Sequence, residues 1–261
     1  MSAPRFAFLG TSGAVASAQR DNTSLVVEAD GVAILLDCGG SAVQRLRRVG
    51  VDPLALTHVV VTHLHVDHAY GLPSVVRQSG LLGRRAPLSV VCRPEHVEPL
   101  RALLTVFRLW DRPDLFPIVL APIDLTPGAR ALTTGALSVA TTPNDHGSMP
   151  NFAVRAQAGG KALVYSSDTR PCAAVATLAQ GADVLIHEAT FAERDRTDHR
   201  SETHASAADA GRVAAEAGVR RLILTHVGAD YHDDVAALAG EAARHFGGVI
   251  EVAEELRFYT A

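Results

Sequence analysis

The chain reads as an α/β protein folded as one compact unit. Short runs of β-branched and aliphatic residues recur from end to end, and Ala/Leu-rich stretches of helical length separate many of them. No repeat, low-complexity tract or long linker divides the 261 residues, so we expect residues 1–261 to form a single domain, with room in it for two similar halves. Hydrophobic residues make up 48% and charged residues 20%, the balance of an ordinary globular chain with enough apolar material for a substantial core.

Taken in order, the strand-like runs are residues 5–9 (Arg-Phe-Ala-Phe-Leu), 24–28, 32–36, 58–62, 88–92, 137–141, 152–157, 162–166, 183–187, 221–225 and 256–259. Each is a short apolar or β-branched stretch, the composition that suits a half-buried or buried strand. The helical stretches are residues 42–49, 95–108, 172–180, 206–217 and 235–246, where Ala, Leu and other good helix formers dominate. Glycines mark the joins, at Gly80, Gly128, Gly159-Gly160, Gly218 and Gly247-Gly248. Early strands follow one another closely, as in an antiparallel meander, while later ones alternate with helices.

The stretch Thr62-His63-Leu64-His65-Val66-Asp67-His68 carries the most chemistry. Three imidazoles and a carboxylate fall within six residues, directly after Val59-Val60-Val61. That donor set is the one borderline divalent metals prefer, zinc above all. His63 and His65 are two apart, so on extended backbone they leave on the same side and can grip one ion. Asp67 and His68 are adjacent; if the chain turns into a helix there, they point toward a second position. One loop therefore suggests two neighbouring metals, each needing further ligands. A polar loop with chance histidines is the bland alternative, and this density argues against it.

The remaining donors fall just past apolar strands, the edge where α/β sheets assemble their sites. His146 follows run 137–141, Asp168 follows 162–166, Glu188 follows 183–187 and His226 follows 221–225. A lone histidine is more often a satisfied core or surface residue, but four such coincidences point to one cleft. His58, His96, His199, His232 and His245 lack that context and read as structural. Gly10-Thr11-Ser12-Gly13 is neither a dinucleotide fingerprint nor a P-loop. It reads as a tight turn at the rim of the site, with no nucleotide cofactor.

Cys38, Cys92 and Cys172 are widely separated and form no CxxC pair, which argues for reduced, mostly buried thiols and against a thiolate zinc site. The start of the chain shows no basic region followed by an apolar core and cleavage site, and no apolar run approaches the ~20 residues of a membrane span. A cytoplasmic location is the expectation. The net charge of −4 lacks the basic footprint of a protein living on nucleic acid. Local patches at Arg45, Arg47 and Arg48, or at Arg84 and Arg85, are the exceptions to weigh, although short basic clusters are usually solvated surface.

At this point the chain resembles the metallo-β-lactamase superfamily, whose H-x-H-x-D-H signature stands here as His63, His65, Asp67 and His68. Within it, the likeness is to ribonuclease Z and related zinc phosphodiesterases. It rests on Phe8-Leu9-Gly10-Thr11-Ser12-Gly13, Leu36-Asp37-Cys38-Gly39, Gly71-Leu72-Pro73, Asp145-His146-Gly147, Ser167-Asp168-Thr169-Arg170-Pro171, His187-Glu188-Ala189-Thr190-Phe191 and Leu224-Thr225-His226. The resemblance implies a four-layer αβ/βα sandwich holding two Zn2+ ions. One would take His63, His65 and His146, the other Asp67, His68 and His226, with Asp168 bridging them. It implies hydrolysis by a di-zinc-activated hydroxide, with Asp67 doubling as ligand and orienter of the attacking oxygen. His204, at the place of the family's His-Ser-Thr motif, would protonate the leaving group, with Glu188 orienting it. Alternatively, Thr203 or Ser206 simply caps the following helix and His204 is incidental. Asp37 is the expected carboxylate partner of a ligating histidine.

Two departures bear on substrate. Bacterial ribonuclease Z typically inserts a tRNA-gripping arm between the matches of His146 and Asp168; here 21 residues lie between them, room for two strands and a Gly159-Gly160 hairpin. Ala205 replaces the serine of the His-Ser-Thr motif. Phosphate contacts supply most nucleic-acid affinity, and this chain has no basic surface to make them. The expected function is therefore a phosphodiesterase acting on small molecules or short nucleic acids, ahead of a true tRNA 3′-processing endoribonuclease. An arylsulfatase, lactonase or thioesterase on the same zincs is the next alternative. A di-iron redox enzyme and an inactive binding module are disfavoured by the intact ligand loop. A homodimer is implied by family resemblance alone, and segment 103–116 with Trp110 reads as a lid or a dimer contact.

Overall fold

Side-chain alternation decides the layering. In β1 (Arg5–Gly10), Phe6 and Phe8 face one side while Ala7 and Leu9 face the other, and all four are buried. A strand buried on both faces needs cover on both, and the sheets are stacked accordingly. The computed structural model describes residues 2–261.

β1 runs antiparallel to β2 (Ser24–Ala29), and β2 antiparallel to β3 (Val32–Leu36). From there the connections become crossovers. Helix α1 (Ala42–Arg48) leads to β4 (Leu56–Val60), and α2 (Val66–Ala69) and α3 (Leu72–Leu81) lead to β5 (Leu88–Cys92). Helix α4 (Val97–Val106) leads to β6 (Ile118–Pro122), with β3 to β6 all parallel neighbours. The second sheet repeats the plan. β7 (Ala129–Thr134), β8 (Leu137–Pro143), β9 (Phe152–Ala158) and β10 (Lys161–Tyr165) form an antiparallel meander. Helix α5 (Ala173–Ala179) then leads to β11 (Val184–Glu188), and α6 (Asp198–Ser201) and α7 (Ala207–Ala217) lead to β12 (Arg221–Thr225). Helix α8 (Val235–Ala242) leads to β13 (Val249–Val252), again with parallel pairing. Finally β14 (Phe258–Thr260) crosses back to lie beside β1. The strand orders are β14-β1-β2-β3-β4-β5-β6 and β13-β12-β11-β10-β9-β8-β7.

Three apolar clusters fill the layers. Phe6, Phe8, Leu36, Phe152, Leu163 and Tyr165 belong to the cluster between the sheets. Helices α1, α3 and α4 cover the outside of the first sheet, and α5, α7 and α8 the outside of the second. The four-layer αβ/βα sandwich is thus the observed architecture. Each fully buried large side chain in that centre contributes about 1.5–3 kcal/mol of transfer free energy, so the two sheets are held chiefly by the layer they share.

Several expectations need correction. Strands β6, β7 and β13 were not anticipated, and neither was α3. The meander is not confined to the early chain, since each sheet starts with one. Run 58–62 begins and ends two residues earlier as β4, and the final strand starts at Phe258. Gly80 marks no turn; it sits in the last turn of α3, where a Cβ would come within 2.5 Å of Leu115 Cδ1. Gly10-Thr11-Ser12-Gly13 is not a tight turn either. Ser12 bridges Asn22 on one side and Val227 on the other, and a Cβ on Gly10 would meet the Asn22 carbonyl, so close approach rather than turning requires glycine there. The Gly159-Gly160 hairpin does join β9 to β10, with φ of 56° and 75°, the positive pair that a two-residue I′ turn demands.

Candidate metal centre

The predicted ligands sit at one edge of the sandwich because the strands that carry them end there. After β4 the backbone stays extended through His65, whose φ and ψ of −61° and 147° make it the N-cap residue of α2. His63 and His65 consequently fall in one candidate group, and the first turn of α2 places Asp67 and His68 in another. Three residues just past β3, β10 and β12 hold the left-handed conformation without being glycine: Asp37 (φ 56°), Ser167 (φ 53°) and His226 (φ 53°). Such positions cost of order 1–3 kcal/mol each and persist where the surroundings over-determine them.

Candidate donor atoms form the groups His63, His65, His146 and Asp168, and Asp67, His68 and His226, each within 4.8 Å of one another, and a third set, Asp168, His204 and His226, overlaps both. Asp168 reaches both: its Oδ1 is 3.3 Å from His68 Nε2, and its Oδ2 is 3.2 Å from His226 Nε2, 3.6 Å from His63 Nε2 and 3.8 Å from His146 Nε2. His146 Nε2 and His65 Nδ1 are 3.1 Å apart, and Asp67 Oδ2 is 3.5 Å from both His68 Nε2 and His226 Nε2. Ligands at tetrahedral corners about 2.0–2.1 Å from a zinc ion stand about 3.3–3.4 Å apart. The observed spacings bracket that value. His63 Nε2, His68 Nε2, His226 Nε2 and Asp168 Oδ1 are buried with no hydrogen-bond partner. Several orphaned buried donors facing one another are costly unless something binds them, so these residues fit a divalent metal centre.

The far side of four of the five rings, all but His65, is tied down, which aims the near nitrogen inward. His68 Nδ1 meets Asp37 Oδ2 at 2.8 Å, His146 Nδ1 meets the Thr203 carbonyl at 2.6 Å, and His226 Nδ1 meets Thr190 Oγ1 at 2.9 Å. His63 Nδ1 lies 3.2 Å from Thr62 Oγ1. Asp37 is the expected carboxylate partner, and it is also gripped by the Thr62 backbone N–H and hydroxyl and by the Tyr165 hydroxyl. Burial, then the neighbouring imidazoles, lower the pKa of His63 well below its ordinary value; burial lowers His65 and His146 as well. Burial works against the charge on Asp168, but His226 and His68 overcome it and hold the carboxylate ionised. The lowered imidazoles of His63, His65 and His146 beside an anionic oxygen suit a cation. Burial disfavours charge on His68, but Asp168 and Asp37 override it and raise its pKa well above the ordinary value, so a bound cation would have to displace that proton.

Beside this cluster stands His204. Its Nδ1 is 3.0 Å from Glu188 Oε1, and Glu188 is fully buried with the Thr169 N–H on Oε1 and the Thr190 hydroxyl on Oε2. Burial alone would lower the His204 pKa; the Glu188 carboxylate overrides it and raises it to about 9. His204 stacks 5.3 Å from the His226 ring and lines a cavity of about 590 Å³ with His65, Asp67, Asp168 and His226. Ser206 does cap α7, in a reciprocal capping box with Asp209, so the capping role and a site-facing His204 coexist.

Sequence reading missed Thr62, Tyr165 and Thr190. Hydroxyls give no spacing signal, and only the assembled sheets show that Thr190 joins Glu188 to His226. Of the two short basic clusters, Arg47, Arg48 and Arg85 are exposed surface, while the other two members are tied up within the fold. Arg84 is buried, donating to the Leu56, Ala86 and Pro87 carbonyls, and Arg45 is paired with Asp21 and Glu255. His232 is anchored on Ser12 Oγ and the Val227 carbonyl, a structural place as expected. Segment 103–116 does not line the metal cavity. Its Leu109 and Phe116 pack into the outer core of the first sheet, and Trp110 lies under Arg101 at 5.3 Å.

Residues 33–227 match the family model described as the beta-lactamase superfamily domain. The chain is 34% identical to the ribonuclease Z of Salinibacter ruber, an alignment covering 96% of this chain and 92% of that one. The chain belongs to the β-lactamase superfamily, in its ribonuclease Z branch. Similarity to the ribonuclease Z of Methanothermobacter thermautotrophicus is 32% identity over 95% of this chain and 94% of the relative. The metallo-β-lactamase fold protein YhfI from Bacillus subtilis superposes with a TM-score of 0.82 at 22% identity, each chain covered completely. With this superfamily's fold and ligand cluster, the protein is a metal-dependent hydrolase related to ribonuclease Z. The two ribonuclease Z alignments run over 300 and 291 positions against 261 residues here, so the relatives carry segments this chain lacks.

Proposed function

We propose that this hydrolase is a two-zinc phosphodiesterase acting on small-molecule or short nucleic-acid phosphodiesters. In this reading His63, His65 and His146 hold one ion, Asp67, His68 and His226 the other, and Asp168 both. The observation that carries it is the inward-facing set of unpartnered donors at zinc-like spacing, beside a histidine backed by a buried carboxylate. When bound, two such ions lower the pKa of water toward about 7 and neutralise charge developing on a phosphoryl group.

The chain's own residues supply the rest. Asp67, on the cavity wall, orients the attacking oxygen with its carboxylate. Glu188 fixes His204 with Nδ1 turned inward to the protein, which leaves Nε2–H to protonate the departing oxygen. Thr190 couples the same carboxylate to His226, so acid and ligand share one support. A cavity of about 590 Å³ suits a ligand of small-molecule to dinucleotide size. Among the described residues no helix is long and apolar enough to cross a membrane, and the free, buried Cys38 and Cys92 fit a reducing, cytoplasmic setting. The homodimer rests on family resemblance alone.

True tRNA 3′ processing is the second reading, favoured by the relatives, which are ribonuclease Z over more than nine-tenths of their length. The test sets zinc-loaded enzyme, with its metal content measured, against bis(4-nitrophenyl) phosphate, an aryl sulfate, a lactone, a thioester and a precursor tRNA. Turnover concentrated on the phosphodiester bears the proposal out. Preference for the sulfate, lactone or thioester refutes it, and cleavage of the precursor at its 3′ end with tight, salt-dependent binding transfers the assignment to tRNA processing.

A further inference from the structure

The metal cavity has a neighbour. A second cavity of about 520 Å³ is lined by Arg194, Asp195, Arg196, Thr197, Arg200 and Tyr231, and it shares Arg200 and Asp230 with the first. The Arg200–Asp230 pair, 2.6 Å between Nη2 and Oδ2, is therefore the partition between the two spaces. Three guanidiniums around one hollow stand out on a chain whose net charge is −4.

Their engagement differs. Arg196 is locked by a two-pronged bond to Glu193, both contacts at 2.8 Å, and by Asp209. Arg194 is largely exposed and reaches only Asp195, at 3.3 Å. Arg200 has a single carboxylate partner, Asp230, which is itself two-thirds exposed, and its guanidinium lies 6.0 Å from the Phe191 ring. An exposed ion pair of this kind is worth at most about 1 kcal/mol, so a better anion displaces it readily. Among the described residues, Arg200 is the only cationic side chain on the wall of the metal cavity apart from the histidines. A guanidinium offers paired donors matched to phosphate oxygens, which an ammonium does not.

We propose that Arg200, with Arg194 beyond it, forms a phosphate subsite that reads a second, non-scissile phosphate of the same substrate, with Asp230 holding Arg200 in place until that phosphate arrives. This rests on the phosphodiesterase reading and narrows its substrate class to esters that carry another phosphate nearby, as nucleotides and short strands do. Arg200 is thus a specificity-determining residue. Bound substrate exchanges the Arg200–Asp230 pair for an Arg200–phosphate pair and joins the two cavities.

The test compares thymidine 3′-(4-nitrophenyl phosphate) with its 5′-phosphorylated counterpart on zinc-loaded full-length enzyme. Wild type should show a higher kcat/KM on the phosphorylated ester, chiefly through KM. Arg200→Ala should erase most of that preference, about tenfold to a hundredfold, and Arg200→Lys should restore part of it. Equal use of the two esters by wild type overturns the subsite and leaves the phosphodiesterase reading standing. So does an Arg200→Ala variant that slows both in parallel, the signature of a structural role. If neither ester is cleaved, the phosphodiesterase reading falls. Calorimetric binding of the two esters to wild type and Arg200→Ala then judges the subsite by itself: a retained preference for the phosphate that depends on Arg200 supports it, and none overturns it.

Discussion

The two sheets share a topology and supply the candidate site in opposite ways. The first delivers four donors, His63, His65, Asp67 and His68, from one six-residue stretch whose geometry follows from extended backbone running into a helical turn. The second delivers His146, Asp168 and His226 from three separate strand ends, and Glu188 and His204 from two more places. A local stretch keeps its shape with little help. A dispersed set exists only when the whole sheet is in register. The metal-facing geometry of the second half should therefore be the more fragile, and its support residues, Thr190 and the backbone carbonyl of Thr203, the more consequential.

The most severe way to break this division is to remove the one residue that reaches both groups. Asp168→Ala should lower phosphodiester hydrolysis on the order of a thousandfold or more, beyond the 10–100-fold typical of residues behind the ligands, and should lower bound metal per chain by elemental analysis. Retained stoichiometry would mean the two groups do not share it. Next, His204→Ala should cost about 10²–10⁴-fold with metal content intact. The loss should be large for alkyl leaving groups, which need a proton, and small for 4-nitrophenolate, which does not. A loss independent of the leaving group would remove the general-acid role.

The sharper contrast lies behind the ligands. Asp37→Asn, in the first half, should weaken metal binding about 10–100-fold in a chelator competition. Tyr165→Phe deletes one of the hydrogen bonds on that carboxylate and should cost about tenfold or less, in keeping with the roughly 1 kcal/mol net value of such a bond. The smallest effect concerns acid stability. Arg196 holds the Glu193 carboxyl at about 2, below its ordinary 4.5. A depressed carboxylate stabilises the folded protein above the unfolded-chain value and loses that contribution as pH falls through the folded one. Glu193→Gln should accordingly lower the melting temperature slightly near neutral pH, with the gap closing between 4.5 and about 2. A gap that is constant with pH would assign the effect to packing.

What could be read from the residues follows the same line. Central strands such as Val32–Leu36 and Arg221–Thr225 are buried and apolar, and they matched their predicted bounds. The strands that escaped notice, Ile118–Pro122, Ala129–Thr134 and Val249–Val252, are edge strands with half-exposed, mixed composition, because an edge packs against less. Helix α3 was hidden by Pro73 and Gly80, yet proline suits a first turn and the glycine answers to Leu115. The seven candidate ligands were visible because four of them stand together within six residues and the other three follow apolar strand-like runs. Thr62, Thr190 and Tyr165 were not, since a hydroxyl's role depends on what the fold places opposite it.

Strand β14 belongs to the sheet that β1 opens, although the whole second half lies between them in sequence. Tyr259 stacks on Phe6 at 5.3 Å and meets Phe8 edge-on at 5.5 Å. A growing chain thus carries β1 as an unpaired edge, with its aromatic pair unroofed, until residues 258–260 have been made. Sequence-distant closure of this kind slows folding and leaves a pairing template open in the meantime. A chain shortened by those few residues would keep every candidate ligand and still be prone to self-association, so its hazard in the cell would lie in solubility before it lay in catalysis.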